Sequence, residues 1–218
     1  MKIILEAVVG SQAYGLATQT SDIDKLGLFV VPTKDILSTG SVKQTIVHNE
    51  PDITIHEVGK FCTLALKCNP TILELLYLNE YETITPEGEM LIKIRDSFLS
   101  NTVKFSYGGY ALQQARKLSK RGHSFSSKTK NRYPKHARHC FRLLQQGRQL
   151  LEEGTLDVRV TPKIREMLFQ IGEMEPQELI TTFEREFESF NQIESVLPDA
   201  PNYNIVDKTL IKIRRMNW

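Results

Sequence analysis

Apolar and polar positions recur along this chain in two rhythms. Residues 2–9, KIILEAVV, make a nearly unbroken apolar, β-branched run and predict a buried strand. DKLGLFVV (24–31) predicts a second, stopped by Pro32. In DITIHEV (52–58) the alternation is strict, so Asp52, Thr54 and His56 fall on one face of a strand and Ile53 and Ile55 on the other. A helical rhythm follows. Val58, Phe61, Leu64 and Ala65 recur at helical spacing within 57–68, and Asn69-Pro70 reads as an N-cap and first-turn proline for a helix over TILELLYL (71–78). Residues 86–99 are also helical in pattern. Further helices are predicted over 104–122 (beginning after Gly109), 135–154 (closed by Gly154), 162–172 and 176–197. HSFSSKTKNRYP (123–134) reads as a polar, basic loop, and LDVRV (156–160) as a short strand. No internal repeat or low-complexity tract is present. The pattern predicts an α+β protein: a unit with strands and helices in 1–100, then a mainly helical unit in 101–218.

Composition narrows this picture only slightly. A chain of 218 residues can bury a sizeable core in one large or two small domains. No stretch approaches the roughly 18 apolar residues that span a bilayer, so no membrane partner is expected. The opening segment has a single Lys and an apolar run interrupted by Glu6, which argues for a core strand over a secretory signal. Cys62, Cys68 and Cys140 are odd in number and match no common metal or redox spacing, so buried thiols in a reducing, cytoplasmic setting are expected. Charge changes the picture more. Between Asp96 and Glu152 there are twelve Lys and Arg and no acidic residue, whereas the rest of the chain carries sixteen basic against twenty-six acidic residues. A middle at about +12 and flanks at about −10 point to a polyanion-facing surface.

The candidate chemistry lies in GSQAYGLATQTSDID (10–24). At the mouth of a strand, a side-chain period of two puts Asp22 and Asp24 on one face, where they repel unless a cation sits between them. Mg²⁺, or Mn²⁺ in its place, takes such hard oxygen ligands together with substrate phosphates. Asp52 is the candidate third carboxylate if its strand pairs beside them, with Glu57 nearby as a competitor; three carboxylates on adjacent strands suit two-metal phosphoryl transfer. Gly10-Ser11, just past a strand end, lets backbone N–H groups and a hydroxyl approach a triphosphate. In the 135–154 helix, Lys135, Arg138, His139 and Arg142 share one stripe, with Ala137, Cys140, Phe141 and Leu144 opposite. That cationic stripe suits a nucleotide, with Arg142 as a bidentate phosphate contact and Lys135 as a point charge; His136 lies off it. Tyr107, Tyr110, Phe125 and Tyr133 lie among the basic residues, where they either stack on bases or pack in the core. Asn69, Pro70 and Glu74 are assigned to capping and packing.

These residues carry a resemblance. Gly-Ser followed by Ser-Asp-Ile-Asp resembles the active-site motif of the DNA polymerase β-type nucleotidyltransferase superfamily. ITIHEVGKFCTLALKCNPTILELLYL and YPKHARHCFRLLQQGRQLLEEGTLDV resemble segments of its bacterial and phage branch associated with RNA repair. The resemblance covers about residues 3–175 and implies a small mixed sheet carrying the catalytic site, followed by helices. One departure is Leu26 before Gly27, with the basic Lys25 one place earlier. The resemblance implies Mg²⁺-dependent transfer of NMP from an NTP to a hydroxyl with release of pyrophosphate. Asp22 and Asp24 match the metal-binding pair, and Gly10 and Ser11 match the triphosphate loop. Arg116, Lys117, Lys120, Arg121, Lys128, Lys130 and Arg132 are the candidate contacts to an RNA acceptor, a tRNA or a broken RNA end. Nucleotidylation of a protein or small molecule, or nucleic-acid binding without catalysis, are the alternatives.

Overall fold

A computed structural model describes residues 1–121 and 133–218. It divides into two compact units, Met1–Leu99 with Ala200–Trp218, and Ser100–Asp199. In the first, β1 (Lys2–Val9) leads through a single helical turn, α1 (Gly10–Tyr14), into β2 (Asp24–Val30). A short α2 (Thr33–Leu37) precedes β3 (Thr45–Asn49) and β4 (Asp52–Glu57). Then come α3 (Val58–Ala65), α4 (Pro70–Glu74) continued by a 3₁₀ turn, β5 (Thr83–Ile84) and α5 (Pro86–Lys93). Among the described residues the strands form one mixed sheet in the order β3-β4-β2-β1-β5. Its β2–β4 pair is parallel and its other pairs are antiparallel. The three strands expected from the sequence form within a residue of their expected limits. β3 was not expected; it is a short edge strand whose Val47, His48 and Asn49 are exposed, so it lacks the apolar signature of a buried strand.

The sheet core is built from Ile4, Leu5, Ala7, Leu26, Leu28 and Phe29, all at most 3% exposed. Asn69 caps α4 as expected, its Oδ1 accepting from Ile72 N–H at 3.3 Å, with Pro70 in the first turn. All three cysteines are buried and free of disulfides. Burial pushes the Cys62 thiol up to about 12, which leaves it an unreactive core group. No helix among the described residues is long and apolar enough to cross a membrane.

The second unit consists of α6 (Thr102–Arg121), α7 (Tyr133–Glu153), α8 (Pro162–Gly172) and α9 (Pro176–Asn191). α6 starts earlier than Gly109 and runs straight through it. Gly147 of α7 is required by close packing: a Cβ there would lie 2.9 Å from both Phe190 Cε2 and Tyr107 Cβ. LDVRV is not a strand. Leu156 and Val158 are buried, but the segment is held to α7 by Gln149, which accepts from Asp157 N–H, and by Gln146, which donates to the Val158 carbonyl; among the described residues it pairs with no strand.

The expected 101–218 unit is corrected at its end. Residues 200–218 belong to the first unit, through α10 (Tyr203–Met216). Val206 and Ile213 are its buried positions. Arg214 makes a two-pronged ion pair with Glu57, at 2.6 and 2.9 Å. Glu87, at the start of α5, ties the same region together by accepting from Lys2 Nζ (2.6 Å), Thr85 Oγ1 (2.7 Å) and Asn217 Nδ2 (3.3 Å). Burial alone would raise its pKa, but the Lys2 and Thr85 bonds, its own backbone N–H and Asn217 outweigh burial and hold the carboxyl at about 2. A folded-state pKa below the unfolded one gives stability that is complete above about pH 4.5 and is lost as pH falls toward 2. Glu87→Gln is therefore expected to cost about 1–2 kcal/mol at pH 7, less than the full shift because Lys2 is half exposed to screening water. In urea titrations the gap from wild type should narrow at pH 3; a gap independent of pH would refute this assignment.

Candidate active site

β2 and β4 run parallel with Asp24 beside Asp52, Leu26 beside Thr54 and Leu28 beside His56. In-register residues on neighbouring parallel strands share a face, so the Asp24 and Asp52 carboxylates emerge side by side at the starts of two adjacent strands. Glu57 lies at the opposite end of β4 and on the other face, where Arg214 and the Gly59 N–H hold it. Of the two competing third carboxylates, Asp52 stands beside Asp24.

On the other side of β2, Val9 is the partner of Asp24, which places Gly10 next to that carboxylate. Gly10 has φ +67°, and a Cβ built on it would lie 2.5 Å from Asp24 Oδ2. The lack of a side chain at Gly10 makes the room that Asp24 occupies. Ser11 follows in the first turn of α1, which closes as Gly15 N–H and Leu16 N–H donate to the Gln12 and Ser11 carbonyls. The two halves of the GS…DID motif thus meet across one strand pair.

Asp22 is placed differently from its expected position. β2 begins at Asp24, so the period-two argument does not reach Asp22, which is exposed on the connection before the strand. A turn in which Ser21 N–H donates to the Thr18 carbonyl, and Thr18 N–H to Ser21 Oγ, delivers the chain to that point. Among the described residues no group of three or more His, Cys, Asp or Glu is arranged to hold a metal ion. The donor chemistry still fits a hard divalent cation, with two in-register carboxylates and a third on an exposed segment two residues upstream. Lys25 points away from this face and pairs with Glu82 at 2.6 Å; that hydrogen bond raises its pKa.

Lys135, His139 and Arg142 belong to the second unit. The expected open cationic stripe is corrected there. Arg142 is 1% exposed, donates to Gln146 Oε1, and lies 3.1 Å from His139 Nδ1. Because a guanidinium only donates, His139 Nδ1 accepts and its other ring nitrogen carries the proton. Burial, then the neighbouring Arg142 charge, lowers the His139 pKa to about 3, so this ring is neutral at physiological pH. Arg138 stacks on the Phe169 ring at 4.6 Å. Lys135 is exposed. The stripe failed because helical spacing fixes angular position, not which neighbouring helix covers that angle. Arg116 and Lys117 are exposed on α6, as an acceptor-facing role requires. Lys128, Lys130, Arg132 and Phe125 lie outside the described residues, as do the side chains of Lys120 and Arg121. Tyr107 is core and Tyr110 is 36% exposed.

Sequence reasoning passed over one contact. Tyr14, the last residue of α1, donates its hydroxyl to Glu74 Oε2 at 2.5 Å, and Glu74 is 1% exposed. The available signal was a lone acid inside the apolar run TILELLYL, since a carboxylate there has to be buried with a partner.

The mixed sheet thus sets two carboxylates against a Gly-Ser turn. The chain belongs to the RNA repair pathway DNA polymerase beta family (RlaP), whose family model matches residues 1–204. It is 31% identical over 137 residues to the uncharacterized 38.9 kDa protein in the nrdC-mobD intergenic region of Enterobacteria phage T4. That match takes in 56% of this chain and 40% of the phage protein, so the chain spans well under half of that relative. Among solved structures it is similar to a nucleotidyltransferase-like protein from Exiguobacterium sibiricum 255-15. The identity is 13% and the TM-score 0.34, over 99% of this chain and 74% of the other.

Proposed function

We propose that this protein transfers an NMP from an NTP to a hydroxyl of RNA, releasing pyrophosphate, with Mg²⁺ or Mn²⁺ as cofactor. The observation that carries the reading is the register of Asp24 with Asp52 and the fit of Gly10 against Asp24. Asp22, Asp24 and Asp52 would hold the cation. When bound, it neutralises triphosphate charge and favours ionisation of the attacking hydroxyl. The Ser11 hydroxyl and the backbone N–H groups of the Gly10-Ser11 turn would donate to the triphosphate and fix it in line. Asp52, on the more exposed strand, would orient the acceptor hydroxyl and take its proton as the oxygen bonds to the α-phosphorus. The bond from that phosphorus to the bridging oxygen breaks, and pyrophosphate leaves with its electron pair. The acid-free basic stretch and the family's place in an RNA repair pathway support an RNA acceptor.

The test is incubation with each α-labelled NTP and Mg²⁺ on total RNA and, separately, on lysate protein. Label should enter RNA, and Asp24→Asn should reduce transfer by about a thousandfold or more. RNA affinity should fall steeply with salt as counterions are released. Label confined to protein or a small molecule would replace the acceptor. A wild-type protein that binds RNA without NTP turnover would leave only a binding module.

A further inference from the structure

Two motifs sixty residues apart in sequence meet through a buried hydrogen bond, from Tyr14 Oη to Glu74 Oε2. α1 has only five residues, far below the length at which a helix is stable alone. Its orientation must therefore be set from outside. At one end it is fixed by β1 through Val9 and by the packing of Gly10 against Asp24. At the other, Gly15 leaves the helix at φ +72°, so the backbone beyond Tyr14 turns away at once. The Tyr14 side chain is buried and holds that end. It reaches a carboxylate on α4, a helix whose start is set by the Asn69 cap and the first-turn Pro70.

Glu74 is 1% exposed, and a hydrogen bond to a carboxylate shielded from water is stronger and fixes geometry more firmly than one at the surface. We infer that Glu74 is a positioning residue that acts through Tyr14, locking the rotation of α1 so that the Ser11 hydroxyl and the turn's N–H groups face the triphosphate beside Asp24. This rests on the nucleotidyl-transfer reading above. It assigns the Asn-Pro-Thr-x-x-Glu segment a part in nucleotide binding beyond capping and packing.

The experiment compares wild type with Tyr14→Phe, Glu74→Met, Glu74→Gln and the Tyr14→Phe/Glu74→Met double variant. Tyr81→Phe is the control; its hydroxyl donates to the Leu75 carbonyl at 2.9 Å, in the same region but with no bond to α1. Removing either partner should raise the KM for NTP by about tenfold, since small misplacements of bound substrate are expensive. The KM for the acceptor should not move. Glu74→Gln, which keeps an acceptor oxygen, should restore the NTP KM, and in the double variant the two single effects on the NTP KM should be non-additive. Amides of residues 11–16 should exchange hydrogen faster in Tyr14→Phe and Glu74→Met but not in Tyr81→Phe. A lowered Tm with unchanged NTP KM, or unchanged exchange in α1, would overturn the inference and leave nucleotidyl transfer standing. Wild-type protein that neither turns over nor binds any NTP would overturn both, through a measurement that involves no variant.

Discussion

Gly10→Ala is expected to cost at least about a hundredfold in nucleotidyl transfer while leaving the protein folded. Two effects combine at this position. The backbone sits at φ +67°, where an L side chain adds roughly 1–2 kcal/mol of strain. The new Cβ would also lie 2.5 Å from Asp24 Oδ2. That oxygen ends a short side chain, so it can rotate away and spare the fold most of the collision. Rotation relieves the clash by moving the carboxylate the site depends on. Activity should therefore fall much further than stability. Equilibrium denaturation and NTP turnover on the same preparation would measure both, and a variant with wild-type turnover would remove Gly10 and Asp24 from the site together.

The largest stability effect is expected at Arg214. Its guanidinium grips a Glu57 carboxylate whose side chain is 3% exposed and which also caps α3 by accepting from Gly59 N–H at 2.7 Å. Arg214→Ala should cost about 3–5 kcal/mol, most of it the penalty of leaving a buried carboxylate without its cation. At this chain length that corresponds to a Tm lower by about 10 °C. Replacing both partners, Glu57→Gln with Arg214→Met, should recover most of the loss, because the amide keeps an acceptor for Gly59 and no charge is stranded. An alanine variant as stable as wild type would show that the pair contributes nothing. Transfer chemistry should be little changed at temperatures where the variant is folded, since Glu57 lies at the far end of β4 from Asp52.

The sheet unit and its candidate site were legible because their signals are local. Strand alternation put Asp52 and His56 on one face, and the Gly-Ser and Asp-x-Asp spacing marked the turn and the strand mouth. The β2–β4 register, which puts Asp52 and not Glu57 beside Asp24, is a tertiary fact that no local pattern carries. Arg142 was misread for a related reason: its angular position on α7 was right, but burial depends on which helix lies against it. α10 was readable in retrospect from Val206, Leu210 and Ile213 and from Asn202, whose Oδ1 accepts from Ile205 N–H. That it belongs to the first unit and not to the helices of the second was not readable, because an amphipathic stripe does not name its partner.

The return of α10 has a consequence for how the chain is made. The first unit is interrupted in sequence by the whole of the second, and Glu57 waits for an arginine 157 positions downstream. A ribosome delivers β4 and the start of α3 long before Arg214. Until then a carboxylate destined for burial has only water and the Gly59 N–H to satisfy it. The helical unit, contiguous in sequence, can complete itself during that interval, whereas the sheet unit closes last. Truncated chains that end between Asp199 and Arg214 should therefore carry a folded Ser100–Asp199 segment and an unfinished sheet, which pulse proteolysis of staged chains would reveal.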